Sequence, residues 1–188
     1  MRLGLFGGTF DPPHVGHLIA ASDAFEALAL DRLVFVPNCT QPLKAEAPKA
    51  PATDRLEMVR RLCHGDTRFS VDSIEIDRGG LSYTVDTLRE YRGQYPDAAL
   101  FLLLGEDAAA TLPSWREPAT IRELAEVVVL TRGPVGSETP TDPRRVSGRR
   151  IDVSSTEIRD RVRANRSLAG FTMAEVQEYI AVHGLYRT

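Results

Sequence analysis

Arg2-Leu3-Gly4-Leu5-Phe6-Gly7-Gly8-Thr9-Phe10-Asp11-Pro12-Pro13-His14-Val15-Gly16-His17-Leu18 is the stretch on which the fold turns. Residues 2–6 form a short apolar run that stops at a glycine pair. It is too short for a signal peptide or a membrane span, and it predicts a buried first strand. After a proline-containing turn, residues 14–29 read as a helix with Leu18, Ala21, Phe25 and Leu28 on one face. A strand running through glycines straight into a helix also suits phosphate chemistry. Gly7 and Gly8 permit a sharp turn and a close approach of ligand to main chain. The helix start offers unpaired N–H groups and the positive end of a dipole. His14 and His17, three residues apart, project to one side, where two imidazoles can donate to phosphate oxygens, and Gly16 between them leaves room for a nucleotide. The same pair could bind a metal or cap the helix, but no Cys or Glu stands at a fitting spacing for a third ligand, so no metal ligand is assigned.

Working outward, Leu33 to Val36 predicts a second strand ended by Pro37. Residues 37–52, with Pro37, Pro42, Pro48, Pro51 and both lysines of the chain, read as a loop. Asp54 and Glu57 have capping-box spacing, followed by the stripe Leu56, Val59, Leu62 and Cys63. Residues 69–76 alternate like a strand, and Thr84 to Gln94 reads as a helix. Leu100 to Leu104 is wholly apolar, as a central parallel strand should be, and Val127 to Leu130 is another such strand. Residues 133–149, rich in proline and glycine, read as a surface excursion. Ser154 with Glu157 opens a helix through about Ala164. Thr172 with Glu175 repeats the device before a last helix, whose end suits Gly184. Strands alternating with helices imply an α/β fold: a Rossmann-like, doubly wound parallel sheet with helices on both faces, in one domain spanning 1–188.

Composition agrees with such a domain. The chain has 188 residues, 43% hydrophobic and 26% charged, enough for a real core. A net charge of −3 gives no strong field toward nucleic acid or membrane, so a phosphate site has to be built locally. Cys39 and Cys63 follow no metal or disulfide spacing, and a reduced, cytoplasmic setting is expected.

A second constellation lies about 140 residues beyond the first, at Val153-Ser154-Ser155-Thr156-Glu157-Ile158-Arg159. The Ser155 and Thr156 hydroxyls with helix-start amides can hold polyphosphate, and Arg159, one turn on, can add a planar fork. By itself this stretch is also a plain capping box with a surface arginine. Gly7 to Leu18 resembles the signature of the nucleotidyltransferase superfamily that shares the HxGH motif with class I aminoacyl-tRNA synthetases. Residues 153–159 resemble the superfamily's second signature, I-S-S-T-x-I-R. Within that superfamily Ser82-Tyr83-Thr84-Val85-Asp86-Thr87-Leu88 is similar to the S-Y-T-x-D-T-L of bacterial nicotinate-nucleotide adenylyltransferases. Gly105-Glu106-Asp107 matches their G-x-D, and Trp115 stands where they carry a tryptophan near the pyridine site. An indole can stack on an electron-poor ring, although a lone tryptophan is also an ordinary core or surface anchor.

The resemblance implies a set of roles. His14, His17 and Arg159 are the expected catalytic residues. Gly7, Gly8, Thr9, Phe10, Gly16, Gly105, Asp107, Arg132, Ser155 and Thr156 are expected on the ATP side. Thr84, Trp115, Arg116 and Lys44 are expected on the nicotinate mononucleotide side. Mg²⁺ is expected to arrive with ATP, held by its phosphates and water. The implied partners are small molecules, with no nucleic acid and no membrane, and self-association is left open. The chain departs from the family in two places. Leu43 replaces the histidine of V-P-x-x-x-P-P-H-K while Lys44 remains, either to neutralise a substrate phosphate or as a solvated loop lysine. Arg132-Gly133-Pro134 stands where Arg-Pro-Gly is common. Two alternatives stay open. One is another adenylyltransferase, such as the enzyme acting on pantetheine phosphate, although those chains usually carry T-x-G-H and lack S-Y-T-x-D-T-L. The other is a non-catalytic nucleotide-binding regulator, against which intact His14, His17 and Arg159 argue.

Overall fold

The computed structural model describes residues 1–43, 46–132 (Arg132 through its backbone alone) and 143–187. The elements alternate as the apolar pattern requires: β1 (Arg2–Gly8), α1 (Val15–Ala27), β2 (Arg32–Pro37), α2 (Ala52–Leu62), β3 (Phe69–Val71), α3 (Ile74–Arg78) and α4 (Thr84–Gln94). There follow β4 (Ala99–Gly105), α5 (Glu106–Thr111), a 3-10 turn (Leu112–Ser114), α6 (Pro118–Leu124), β5 (Glu126–Arg132), β6 (Arg144–Gly148), α7 (Ser155–Arg163) and α8 (Ala174–Val182).

The six strands form one sheet in the order β3-β2-β1-β4-β5-β6, parallel throughout. The chain winds outward from β1 to β3, then returns past β1 to β4 and winds the other way. Loops leaving β1 and β4 therefore diverge and leave a crevice at the carboxyl ends of these two strands, the usual ligand position in a doubly wound sheet.

Strand alternation feeds two cores. Phe101 and Leu103 of β4 join Phe6, Phe35, Val128 and the α1 residues Ala21 and Ala24 on one face. Leu100, Leu102 and Leu104 join Leu3, Leu5, Val85, Leu88 and Ile121 on the other. A third cluster packs α7 and α8 onto α2 through Met58, Leu62, Ile158, Val176 and Ile180. Leu18 of α1 touches both the first cluster and the third, so the α7–α8 pair is anchored beside the start of α1.

Four local expectations need correction. The strand expected over 69–76 ends at Val71, because Asp72 Oδ1 accepts the N–H of Ile74 and turns the chain into α3. Tyr91 then donates to the other Asp72 oxygen. Part of the 133–149 excursion is β6, an edge strand that buries only Val146 and is held by its backbone ladder to β5, which an apolar pattern cannot reveal. Asp54 is not an N-cap: α2 starts at Ala52, with Pro51 as cap, and the Asp54 carboxylate accepts the Tyr179 hydroxyl at 2.8 Å. Thr172 is not one either, since Met173 caps α8. The Ser154 device holds, with its hydroxyl accepting the Glu157 N–H at 3.1 Å, and Gly184 sits just past α8 with φ +61.

Candidate active site

The motif Gly7–Leu18 folds differently in detail from its simplest reading. β1 runs on through Gly8, and the left-handed turn is made by Phe10, with φ +50. The Phe10 ring is buried and packs against Phe6, Phe35 and His17, at the wall between core and cavity. A Cβ on Gly8 would meet that ring at 2.7 Å. A Cβ on Gly16 would meet His14 Nδ1 at 2.9 Å, so Gly16 makes room for the His14 ring while also lining the cavity at the ends of β1 and β4. Gly7 and Gly105, on neighbouring strands, have nothing within 4 Å of a Cβ position and leave the main chain open to approach.

His14 caps α1, and its backbone N–H donates to His17 Nδ1 at 3.2 Å. An accepting Nδ1 assigns the ring hydrogen of neutral His17 to Nε2. The two rings lie 3.7 Å apart at 31°, as one stacked unit.

The carbonyls of Asp11, Pro12 and Pro13 cannot join a regular ladder, and each is held from far along the chain. Arg159 Nη1 donates to Asp11 O at 2.7 Å, Ser155 Oγ to Pro12 O at 2.8 Å and Thr172 Oγ1 to Pro13 O at 3.0 Å. The two signatures are thus locked together. Arg159 Nη2 also donates to Thr156 Oγ1 at 2.9 Å. The Ser155 hydroxyl hydrogen, expected at a phosphate, is directed to the loop.

Behind the loop lies a polar network that sequence reading did not assign. Arg55 is 1% exposed and donates to Thr9 O, Cys39 O, Ala50 O and Asn38 Oδ1. Burial pulls its pKa below the usual guanidinium value, opposed by the Asp11 charge. The buried Asp11 carboxylate accepts the N–H groups of Lys49 and Ala50 and the Tyr186 hydroxyl. Burial, then the Asp11 charge, drives the Tyr186 phenol far above its ordinary range, so it stays a donor. Asn38 Nδ2 donates to Thr9 Oγ1, and Thr9 Oγ1 to Gln41. Thr9 is therefore joined to the loop that follows β2.

A cavity of about 450 Å³ opens at the carboxyl ends of β1 and β4. Gly7, Gly8, Phe10, His14, Gly16 and His17 line it from the first motif, and Gly105 and Asp107 from β4 and α5. Asp23, Thr131 and Arg149 close its far side, where Asp23 accepts the Arg149 N–H at 2.9 Å. Thr9, Ser155, Thr156 and Arg159 do not line the cavity: Thr9 belongs to the loop that does, Ser155 and Arg159 donate to that loop, and Thr156 accepts from Arg159. A larger hollow of about 600 Å³ lies at the opposite edge, beside the beginnings of β4 and β5. It contains none of the motif residues, and parallel sheets bind ligands at the other edge.

The expected acceptor residues gather at the start of α4. Arg116 lies over the Tyr83 ring at 4.9 Å and reaches Asp86 at 3.4 Å, which ties Arg116 to the two residues that flank Thr84-Val85. Trp115 packs partly on the second core, its indole N–H bonded to Thr111 at 3.0 Å. From Gly105, α5 and the 3-10 turn lead directly to this group. Lys44 and Gly133-Pro134 lie outside the described residues, as does the Arg132 side chain.

Much of the S-Y-T-x-D-T-L stretch is explained by one buried acid. Glu75 accepts from Thr87 at 2.7 Å and from Ser82, while Ser82 Oγ accepts the Cys39 N–H at 2.9 Å. The stretch thereby ties α4 to the loop after β2. Burial raises the Glu75 carboxyl above its usual 4.5, despite these hydrogen bonds. A raised folded pKa means stability present at low pH is lost as pH climbs from about 4.5 through the folded value. Glu75→Gln, which keeps an accepting oxygen, is expected to gain thermal stability relative to the parent as pH rises from about 5 to about 8. A Tm difference that is the same at both pH values would contradict this.

The cytidylyltransferase-like family model matches residues 5–161. The chain is 49% identical to a probable nicotinate-nucleotide adenylyltransferase of Gemmatimonas aurantiaca, over 100% of this chain and 93% of that one. It is 45% identical, over the full length of both, to a protein of the same name from Thermus thermophilus. Among solved structures, Plasmodium falciparum nicotinic acid mononucleotide adenylyltransferase complexed with NaAD superimposes with a TM-score of 0.77. That match covers 98% of this chain and 97% of the other at 16% identity, a likeness of fold. Among the described residues, no helix is long and apolar enough to cross a membrane, and no group of three His, Cys, Asp or Glu could hold a metal ion.

Proposed function

From the chain's membership of the nicotinate-nucleotide adenylyltransferase family, within the cytidylyltransferase-like proteins, we infer that it transfers the adenylyl group of ATP to nicotinate mononucleotide. A phosphate oxygen of the mononucleotide attacks the α-phosphorus, the bond to the α,β-bridging oxygen breaks, and pyrophosphate leaves with that electron pair. The products are nicotinate adenine dinucleotide and pyrophosphate. The observation that carries this is the placement of the stacked His14–His17 pair in the cavity between β1 and β4, with α5 leading from its edge to Trp115 and Thr84.

The nucleophile is already anionic, so no general base is required, and the protein's contribution is alignment and charge stabilisation. His17 Nε2 is the donor placed for phosphate oxygens, and His14 fixes its ring through the backbone bond to Nδ1. Arg159 serves the pyrophosphate end of ATP, oriented by Asp11 O and Thr156. Ser155 acts on the same end through the loop it holds. The open main chain at Gly7 and Gly105 admits the nucleotide, and Asp107 faces it. Thr84 and the amides near Trp115 receive the nicotinate carboxylate. Mg²⁺ enters as part of the ATP substrate, where it offsets charge on the departing pyrophosphate. The whole chain is one nucleotidyltransferase domain working in the cytoplasm on small molecules.

A pyrophosphate-release assay with ATP and a panel of acceptors tests this. Release with nicotinate mononucleotide and not with pantetheine phosphate is expected; release with pantetheine phosphate alone, or with no acceptor, contradicts it. Arg159→Lys keeps the charge but cannot hold two oxygens with one fork. It is expected to lower kcat/KM for ATP more than for the pyridine nucleotide, and equal losses would remove the basis for its role.

A further inference from the structure

Between α7 and α8 the chain touches the phosphate loop at two consecutive residues. Thr172 Oγ1 donates to Pro13 O at 3.0 Å, and Phe171 O accepts the Val15 N–H at 3.0 Å. These two bonds bracket His14 on both sides along the chain. Thr172 is 3% exposed, and its hydroxyl does not cap α8, although capping spacing is present in the sequence. Its backbone carbonyl is held in turn by Gln177 Nε2 at 2.8 Å, so the Thr172 backbone is fixed to α8. Pro13 has no N–H, which leaves its carbonyl as the only main-chain group at that residue through which the loop can be aligned.

We propose that Thr172 is a positioning residue for adenylyl transfer, setting the direction of the His14 backbone and, through it, the His17 ring. The linkage is direct. The Pro13 carbonyl and the His14 N–H belong to the same peptide unit, and that N–H is the donor to His17 Nδ1. Because a peptide unit is planar, a hydroxyl bonded to its oxygen fixes the direction of its N–H as well. Tilting the unit weakens the bond that orients His17 and sets its tautomer. This role rests on the reaction proposed above, and it places a determinant of the histidine pair outside both sequence signatures.

The test compares Thr172→Val, which is nearly isosteric and lacks the hydroxyl, with Thr172→Ser, which keeps it. Thr172→Ala, which only removes atoms, replaces the valine variant if that one does not fold. Ring signals of the free protein come first, since they do not depend on turnover. Of the four histidines, His14 and His17 are expected to shift in Thr172→Val while His64 and His183 stay in place, and serine is expected to restore the parent pattern. Kinetically, Thr172→Val is expected to lower kcat by about tenfold to a hundredfold with a smaller change in KM, as misplacement of a reacting group does. In a His17→Ala background the same substitution is expected to add little, because the ring it works through is already gone. Unshifted His14 and His17 signals, or the same fold loss in both backgrounds, would overturn the proposal. Absence of adenylyl transfer in the parent protein would instead overturn the reaction, with the ring signals still reporting on Thr172.

Discussion

His17→Ala is expected to lower kcat by about 10²–10³-fold, the usual loss when one preorganised donor to developing charge is removed. The geometry gives the reason. His17 lines the cavity at the carboxyl ends of β1 and β4, and its Nδ1 is occupied by the His14 N–H, so Nε2 presents the hydrogen. Truncation removes that donor and the ring that stacks on His14 at 3.7 Å. His17 is only half-buried and contacts Phe6 and Phe10 at the core's edge, so the variant stays folded and binds ATP through its remaining contacts. Steady-state kinetics with a circular dichroism spectrum check both halves. Near-parent turnover, or loss of the folded spectrum, would refute the assignment.

Arg55→Ala is expected to destabilise the protein by about 3–5 kcal/mol, the range for leaving a buried charge without its partner. Arg55 touches no substrate in this account. Its guanidinium serves three carbonyls and an amide oxygen from Thr9, Asn38, Cys39 and Ala50 while only 1% exposed. Removal also deprives the buried Asp11 carboxylate of the nearby positive charge. Arg55→Lys retains charge but not the fork, and its loss is expected to be intermediate. Urea unfolding at unchanged m-value measures the difference. A loss within about 1 kcal/mol would mean that Arg55 is an ordinary surface-type arginine.

What could be read from the chain alone was what side-chain periodicity and ordered motifs carry. β1, β4 and α4 follow from apolar runs and spacing, and the histidine pair from its place after a strand and a glycine pair. β6 escaped because an edge strand is held by main-chain bonds to β5, while its side chains are mostly arginine and serine. Arg55 escaped because an arginine in a helix next to Asp54 looks solvated; only the tertiary packing of the loop after β2 over α2 buries it. Asp11 sat inside the quoted motif without a role, since its partners Lys49, Ala50 and Tyr186 are remote in sequence. Thr172 was read as a local helix device and Ser155 as a phosphate ligand, yet both donate to loop carbonyls more than 140 residues away. In each case a local pattern was visible and the long-range partner that decides its use was not.

The acceptor is the centre of the account, and comparing kcat/KM for nicotinate mononucleotide and nicotinamide mononucleotide, at fixed ATP and Mg²⁺, tests it most directly. A carboxylate only accepts hydrogen bonds, whereas an amide must also donate two. In the acceptor site proposed above, Thr84 and the main chain at Arg116 supply the donors, so the amide nitrogen would be left unpaired at a cost of about 1–3 kcal/mol. The expected result is a preference for the nicotinate form of roughly tenfold to a few hundredfold. A ratio near one, or a preference for the amide, would contradict it.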